Sequence, residues 1–416
     1  MRVVVVGAGP AGMMAAIKAL ENKNEVIVLE HKEKVGKKLL ATGNGRCNLT
    51  NSLLQHAPQN AYTLYDGKEK EFIQKLFETY GYEDLLKDFS SMGLLFKNRG
   101  DLVYPRSDQA LAVQNALYSR LDELRCKVVT ECEVKEINIL KKQGFEVKTT
   151  KGSFEADRVI IATGSKAQPK LGADGSGYML VKKLGHSVTK VAPGLVALKC
   201  EEKYFKDIKG VRVAANITLM EKNGSSLKSV YAESGELQLT DYGISGIAVM
   251  NISNRVSAYT KEQIYKGTLW AQIDLVEELP LEELKSILRK SVSTFPDRSV
   301  RGLLNGILPE KLLLQMLKLA GIDSGWKLRR VSEEHIDTLV KILKDWEVRI
   351  ADTCGFEEAQ ICLGGVPTLE LTEKFESKIV PGIYIIGELI DLHGDCGGFN
   401  LQLAFSEGAV AGSSIQ

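Results

Sequence analysis

Apolar residues at the start of the chain form short runs that are separated by a glycine-rich turn. Residues 2–6 (RVVVV) are an apolar, β-branched run of the kind found in buried parallel strands, and residues 25–30 (EVIVLE) form a second one. Between them, small residues from about Ala11 to Glu21 predict a helix. The pattern predicts a β-turn-α-β unit, which is the clearest local structure in the sequence.

The remaining sequence changes character twice. The first half continues with predicted helices at about 69–80 and 107–125 and predicted strands at 128–134, 145–150 and 157–164. From about Pro193 to Asp274, short alternating segments predict a β-rich insertion without a long helical period. From Glu278 to about Trp346, apolar residues at three- and four-residue spacing predict a small helical module.

The end of the chain returns to the pattern of its beginning, with a strand-like segment at 378–388, a glycine loop at 394–400 and a helix-like LQLAFSEGAVAG. We therefore predict an α/β fold with a Rossmann-like domain assembled from both chain ends. The predicted boundaries are 1–190 and 355–416 for this domain, 191–276 for the inserted β-rich domain and 277–354 for the helical module.

Charge and hydropathy make several functional classes less expected. The 416 residues include 54 Lys plus Arg and 53 Asp plus Glu, so a formal charge of +1 gives no attraction for a polyanion or a membrane surface. We expect neither a nucleic-acid partner nor a membrane partner. The apolar runs are shorter than the ~18 residues of a membrane span. Because the N-terminal residues of the sequence enter a strand directly, we expect no export signal.

The cysteines and histidines narrow the chemistry further. Seven cysteines without a CxxC pair, in a chain of this length, are typical of free thiols in the cytoplasm. The histidines show no metal-ligand spacing, so no metal site is predicted.

The strongest motif is VVVVGAGPAGMMAA, in which Gly7, Gly9 and Gly12 have GxGxxG spacing after a strand and at the start of a helix. Gly7 permits the tight turn, Gly9 lets the backbone meet a pyrophosphate, and Gly12 allows close helix packing. Glu30 ends the next strand, 18 residues beyond Gly12, where a carboxylate can accept hydrogen bonds from ribose hydroxyls. A glycine turn needed only for packing does not explain that carboxylate, so we predict a dinucleotide site.

The GxGxxG pattern alone does not separate FAD from NAD. The segment GKKLLATGNGRCNLTN (36–51) resembles the signature of a bacterial flavoprotein family described as aminoacetone-oxidase-like or as BaiN-like NAD(P)/FAD-dependent oxidoreductases. The resemblance extends through segments 106–117, 160–186, 235–246 and 382–412, and so spans nearly the whole chain. It implies noncovalently bound FAD and an FAD domain built from both chain ends.

The resemblance also implies where the cofactor lies. The segment around Arg46 would run along the flavin, Glu388 would bind the ribityl hydroxyls, and the last helix would direct its N-terminus at the flavin ring. Many relatives of the broader fold have Asp in place of Glu388. The expected cofactor-binding residues are Gly7, Gly9, Pro10, Ala11, Gly12, Glu30, His31, Lys38, Thr42, Gly43, Arg46, Cys47, Asn48, Val134, Ala162, Thr163, Gly164, Gly387, Glu388, Gly398, Phe399, Asn400 and Leu401.

The candidate acid and base groups are His393, Asp395 and Cys47. His393 and Asp395 belong to a loop expected to border the flavin, although Asp and Gly are equally ordinary turn formers. A redox disulfide between Cys47 and Cys396 is a further hypothesis, but disulfide reductases usually carry their pair close together on one helix. The GADGSG segment (172–177) follows no buried strand and is interpreted as a helix-start loop.

The predicted function is an FAD-dependent oxidoreductase that transfers hydride through flavin N5. The favoured version reduces a small unsaturated or carbonyl substrate with NAD(P)H, which docks transiently as electron donor. One alternative is an amine oxidase that uses O2. Alternatives of other classes are a tRNA-modifying or RNA-binding flavoprotein, which the near-neutral charge disfavours, and a protein that keeps FAD for structure alone. The sequence carries no signature of the substrate or of the oligomeric state.

Overall fold

The computed structural model describes residues 1–56, 65–66, 70–141, 143–224, 226–259 and 261–416. The helix predicted at about 69–80 begins at a residue, 69, that lies outside the described residues. The chain forms two compact units, one of residues 1–193 and 359–416 and the other of residues 194–358. No helix among the described residues has the length and apolarity needed to cross a bilayer.

The first unit mixes strands and helices, and the second unit has strands with short helices between them, then a run of helices and a last strand. The strands are β1 Arg2–Val6, β2 Glu25–Leu29, β3 Thr50–Asn51, β4 Tyr65–Asp66, β5 Phe96–Arg99, β6 Leu102–Pro105, β7 Lys127–Val129, β8 Val134–Ile139, β9 Phe145–Thr149, β10 Gly152–Ala156, β11 Arg158–Ile161, β12 Ala192–Gly194, β13 Leu198–Cys200, β14 Arg212–Asn223, β15 Ser226–Leu239, β16 Gly243–Ser245, β17 Leu269–Asp274, β18 Trp346–Thr353, β19 Ile361–Leu363, β20 Ile383–Ile385 and β21 His393–Gly394. The α-helices are α1 Pro10–Glu21, α2 Lys37–Ala41, α3 Leu53–His56, α4 Lys70–Thr79, α5 Tyr82–Ser91, α6 Ala110–Glu123, α7 Ser176–Lys183, α8 Phe205–Ile208, α9 Ile247–Val256, α10 Lys261–Tyr265, α11 Leu281–Thr294, α12 Val300–Leu304, α13 Glu310–Leu319, α14 Glu333–Lys344 and α15 Phe399–Ser414.

A parallel sheet forms the centre of the first unit, with strand order β20-β11-β1-β2-β7. Its middle strand is buried from Val3 to Val6, as expected for a strand covered on both faces. Because the strands are parallel, the segments after β1, β2, β11 and β20 emerge at the same edge. The predicted α/β class with a Rossmann-like parallel sheet is confirmed.

Helix α15 joins the end of the chain to its beginning by packing on α1. A Cβ atom on Gly408 would lie 2.3 Å from the Ala11 carbonyl oxygen, and one on Gly412 would lie 2.3 Å from the Ala15 carbonyl oxygen. The two glycines are one helical turn apart, so they form a groove that receives the α1 backbone. The small residues of the terminal segment therefore hold the two chain ends together.

The predicted strand at 128–134 is wrong in one respect, because this segment contributes to two sheets. Strand β7 ends at Val129 in the parallel sheet, and β8 starts at Val134 in an antiparallel meander with β9 and β10. Between them Glu131 has a left-handed backbone with a φ of 50°. A turn at this residue breaks the strand although the apolar pattern continues across it.

The second unit contains a closed barrel with strand order β13-β16-β15-β14-β17-β18. Two details differ from the sequence-based expectation. Helix α9 (Ile247–Val256) lies in the region where no long helix was predicted, and β18 (Trp346–Thr353) follows the predicted helices but pairs with β13 and β17. The barrel strands and helices α11, α13 and α14 share one buried apolar cluster. The barrel thus includes sequence from both sides of the helical segment.

Candidate dinucleotide-binding site

The turn after β1 requires two of its glycines for reasons internal to the protein. Gly7 has a φ of +105°, and a Cβ atom there would lie 2.4 Å from the Ala162 carbonyl oxygen. A Cβ atom on Gly12, in the first turn of α1, would lie 2.0 Å from the Gly7 carbonyl oxygen. Both positions bring two backbone segments closer than any side chain allows.

Gly9 is different, because the protein itself gives no reason for a glycine there. Its φ of −81° is accessible to any residue, and no atom of the described residues lies within 4 Å of its Cβ position. Gly9 caps α1, and Pro10 follows it at the first helical position. The space in front of Gly9 therefore lies at a helix N-terminus, where backbone N–H groups and the helix dipole favour an anion.

Glu30 is held beside this turn at the end of β2. One carboxylate oxygen accepts a hydrogen bond from the Ala8 N–H at 2.9 Å, and the other accepts one from the Lys32 N–H at 2.8 Å. His31 follows, with Nε2 at 3.9 Å from Glu30 Oε1 and Nδ1 at 3.8 Å from Asp174 Oδ2. Asp174 was not predicted as a site residue, since its glycine-rich loop was interpreted only as a helix start. His31 therefore lies between the carboxylates of Glu30 and Asp174.

The segment that carries the GNGRCN signature forms a compact turn after α2. Residues Thr42–Gly45 make a short 3-10 turn in which Gly43 and Asn44 have left-handed backbones, with φ values of 56° and 54°. The Thr42 hydroxyl donates a hydrogen bond to the Leu39 carbonyl at 2.6 Å. Arg46 is half-buried, and its Nε donates to the Gly43 carbonyl at 3.3 Å. The conformation depends on glycine and asparagine, the residues that tolerate it best.

Lys38 and Glu388 meet at the edge of the parallel sheet although 350 positions separate them in sequence. The Lys38 ammonium donates a hydrogen bond to the Glu388 carboxylate, and the Ser165 hydroxyl donates to Glu388 Oε2 at 3.1 Å. Gly387 precedes Glu388 with a φ of +73°. Ser165 was missed by sequence reasoning, although it directly follows the predicted Ala162, Thr163 and Gly164.

Two buried polar atoms near this edge have no hydrogen-bond partner among the described residues: Asn48 Oδ1 and Thr163 Oγ1. Buried polar groups in folded proteins are normally paired, so these two atoms are candidates for contact with a bound ligand. Both residues were predicted to bind the cofactor. Val134, predicted to touch the adenine, lies at the start of β8.

The start of α15 lies beside the β3 segment. Gly398 caps the helix with a φ of +95°, and a Cβ atom there would lie 2.6 Å from the Thr50 carbonyl oxygen. Phe399 is buried and Leu401 is half-buried. The Asn400 side chain accepts a hydrogen bond from the Gly394 N–H at 2.8 Å and donates to the Gly394 carbonyl at 2.9 Å. Asn400 therefore fixes the preceding loop with its side chain.

That loop contains two of the three candidate acid and base residues. His393 lies in β21, whose backbone pairs with β4, and the Asp395 carbonyl accepts a hydrogen bond from Asn400 Nδ2 at 3.2 Å. The structure thus holds both residues next to the N-terminus of α15. Among the described residues, no group of three His, Cys, Asp or Glu side chains is arranged to bind a metal ion.

Cys47 has a different environment from the one its predicted role requires. Its side chain is fully buried, and burial raises the pKa of the thiol to about 12. Neither Cys47 nor Cys396 is part of a disulfide, and burial also raises the pKa of Cys396, to about 11. A buried, protonated thiol is a poor nucleophile and a poor partner in thiol exchange. This burial favours a packing role for Cys47 over a role as an acid, base or redox group.

We expect Cys47 to resist alkylation in the folded protein at about pH 8, because only the thiolate reacts. Mass spectrometry after iodoacetamide treatment should find it unmodified in the native protein and modified in concentrated urea. Rapid labelling of Cys47 in the native state would contradict this description.

Together, the parallel sheet, the open space at Gly9 and the carboxylate of Glu30 are typical of a Rossmann-type nucleotide-binding protein, and the unit that contains them is built from both chain ends. The chain matches the family described as HI0933-like protein Rossmann domain over residues 1–414, and it belongs to that family.

Comparison with known proteins gives relatives that align over almost the whole length. The chain is 37% identical over 416 residues to 3-dehydro-bile acid delta(4,6)-reductase of Clostridium scindens, covering 99% of this chain and 98% of the relative. It is 27% identical over 420 residues to ribosomal RNA dihydrouridine synthase of Haemophilus influenzae, with coverage of 99% and 98%. Among solved structures, it resembles 3-ketosteroid-delta4-(5alpha)-dehydrogenase of Rhodococcus jostii RHA1 with a TM-score of 0.53 and 17% identity, covering 99% of this chain and 96% of the other.

These comparisons confirm three predictions made from the sequence. The family is the predicted one, the fold is the Rossmann-like α/β fold, and the protein is an oxidoreductase of a flavoprotein family. The structural likeness, at 17% identity, supports the fold alone.

Proposed function

We propose that this protein binds FAD noncovalently and reduces a small unsaturated or carbonyl compound with electrons from NAD(P)H. The observation that carries the proposal is the open space in front of Gly9. Gly9 needs no glycine for its own φ or for a neighbouring atom, and it caps the N-terminus of α1, so a ligand that approaches the backbone at this helix end would explain it.

The residues around this space suit the parts of FAD. The N-terminus of α1 would hold the pyrophosphate, Glu30 the adenosine ribose and Glu388 the ribityl hydroxyls, while Asn48 Oδ1 and Thr163 Oγ1 offer buried polar atoms. The N-terminus of α15, a helix of 16 residues, would stabilise negative charge that develops on the ring. Bound FAD supplies hydride transfer at its N5 atom.

The substrate class is proposed from the Clostridium scindens relative. Its name describes reduction of double bonds in a 3-dehydro bile acid, and it aligns with this chain over 99% of the residues. We therefore propose a conjugated carbonyl compound as substrate. Reduction also needs a proton, and His393 and Asp395 at the start of α15 remain our candidates for delivering it.

Rapid mixing experiments test this assignment. We expect NADH or NADPH to bleach the flavin absorbance of the FAD-loaded protein within the time of a turnover, and a 3-keto-4-ene steroid to restore it without oxygen. Bleaching by amines, and not by either nicotinamide donor, would favour the amine oxidase. If no donor bleaches the flavin, bound FAD would have a structural role and not a catalytic one.

A second candidate function follows from the Haemophilus influenzae relative, whose name describes a reaction on ribosomal RNA. Reduction of a uridine double bond would use the same cofactor on a larger substrate. The formal charge of +1 gives little general attraction for RNA. A gel shift with unmodified ribosomal RNA that weakens with added salt, together with dihydrouridine formation, would favour this candidate over the small-molecule reductase.

A further inference from the structure

Glu407 is a buried acid that the proposed chemistry does not use. It lies in α15 with 1% of its surface exposed. One carboxyl oxygen accepts a hydrogen bond from the Gly387 N–H, and the other, Oε1, has no hydrogen-bond partner among the described residues. An acid in such a position is costly to ionise, and burial raises the pKa of Glu407 well above its usual value of 4.5.

The hydrogen bond from Gly387 connects Glu407 to the cofactor site. Gly387 begins the turn that carries Glu388, the residue expected to bind the ribityl chain. A Cβ atom on Gly387 would lie 3.2 Å from the Ala11 Cβ, and Gly408, next to Glu407, packs on the Ala11 carbonyl. The turn is therefore fixed between α1 and α15. Ala11 is the second residue of α1, so Glu407 lies close to the helix N-terminus that would hold the pyrophosphate.

Other charged groups near α15 are paired, lie further along the helix or are exposed. Glu388 acts on it electrostatically but is itself bound to Lys38. Lys18 of α1 pairs with Glu21 and Asp88. Lys18 lies beside Gly412, which is about 7.5 Å further along α15 than Glu407. His393 of β21 neighbours the other end of the helix. The described side chains with charge on α4 and α5, apart from Asp88, are exposed: Glu71, Lys75, Glu78, Glu83, Asp84 and Lys87.

We propose that Glu407 is a positioning residue of the cofactor site, which holds the Gly387–Glu388 turn in its FAD-binding conformation as a neutral carboxylic acid and weakens FAD binding when it ionises. This inference rests on the proposed function. Ionisation would place a second negative charge beside Glu388 and near the cofactor phosphates, while the Lys38 ammonium is already bound to Glu388. FAD binding would therefore favour the protonated form.

The direction of the pH effect follows from this linkage. At pH values where Glu407 is neutral in the free protein, its titration makes no contribution to the pH dependence of FAD affinity. When the pH rises above the pKa of Glu407 in the free protein, Glu407 must take up a proton each time FAD binds. The FAD dissociation constant therefore increases by up to about tenfold per pH unit. Glu407→Gln keeps an acceptor for the Gly387 N–H and carries no ionisable proton, so this component of the pH dependence disappears.

The test measures the FAD dissociation constant between about pH 5 and about pH 9.5 for the full-length protein, for Glu407→Gln and for Glu25→Gln, a control at an exposed glutamate. We expect the FAD affinities of wild type and of Glu25→Gln to fall together as the pH rises. The affinity of Glu407→Gln should fall less, so that the loss in wild type exceeds the loss in this variant by about tenfold or more at the alkaline end. Ionisation of FAD itself is common to all three proteins. Equal pH profiles for wild type and Glu407→Gln would overturn the inference.

Wild-type protein alone provides a second measurement that does not depend on folding of a variant. Calorimetry in two buffers of different ionisation enthalpy should show proton uptake when FAD binds at alkaline pH, and no uptake would overturn the inference. If wild type binds no FAD at any pH, the proposed function fails and this inference fails with it. If wild type binds FAD without proton uptake, only the inference fails.

Discussion

Replacing Gly9 by serine is expected to raise the FAD dissociation constant by about 100-fold, which corresponds to about 2.7 kcal/mol. The added side chain would occupy the space in front of α1, where no described atom lies within 4 Å of the Cβ position. Serine is a favoured residue at a helix N-cap, so the free energy of unfolding of the FAD-free protein should change by less than about 0.5 kcal/mol. Fluorescence titration with FAD and urea unfolding measure the two quantities.

A matched control is Gly355→Ser, because Gly355 also has no described atom within 4 Å of its Cβ position and lies in the second unit. This variant should bind FAD like the wild type. If Gly9→Ser binds FAD normally, the space in front of Gly9 is not the pyrophosphate site. If it unfolds without FAD, Gly9 serves the fold and not the ligand.

Gly408→Val is expected to destabilise the first unit by about 3 kcal/mol and to lower its melting temperature by roughly 5 to 10 °C. A Cβ atom at this position would lie 2.3 Å from the Ala11 carbonyl oxygen, so α15 must move away from α1 to admit the side chain. The movement would also displace the neighbouring Glu407 and the turn that it contacts. Thermal unfolding followed by circular dichroism measures the effect.

Ser413→Val is the control for this substitution, because Ser413 is exposed on the same helix. It adds a valine with the same helix propensity but without a close backbone contact, and its effect should stay within about 0.5 kcal/mol. Equal melting temperatures for the Gly408 and Ser413 variants would mean that α15 does not depend on the close approach to α1.

The sequence predicted the Rossmann part of the fold because the information there is local. A buried β-branched run, a glycine turn and a helix of small residues each depend on a few neighbouring positions, and β1, α1 and β2 follow directly from them. The barrel was harder, because β18 pairs with β13 across about 150 residues of chain and no local pattern encodes that pairing. Helix α9 is short and lies between strands, so its apolar spacing was not distinguished from theirs.

In the candidate site, too, residues defined by local spacing could be predicted, and residues defined by contacts between distant segments could not. Gly7, Gly9, Gly12 and Glu30 could be assigned from spacing. Lys38 and Glu388 were assigned only through a resemblance to a known family, and their contact with each other was not predicted. Asp174 and Ser165 were missed because each belongs to a loop whose partner is distant in sequence. Glu407 was missed because a single glutamate in an apolar helix does not show whether it faces solvent. Burial, which the sequence does not report, gives each of these residues its chemical character.

The central claim is that the edge of the parallel sheet at Gly9 binds FAD, and the most direct measurement is the FAD content of the protein. After incubation with excess FAD and gel filtration, we expect flavin absorbance to travel with the protein, and heat denaturation to release intact FAD at about one molecule per chain. A folded protein that remains colourless after this treatment would contradict the account.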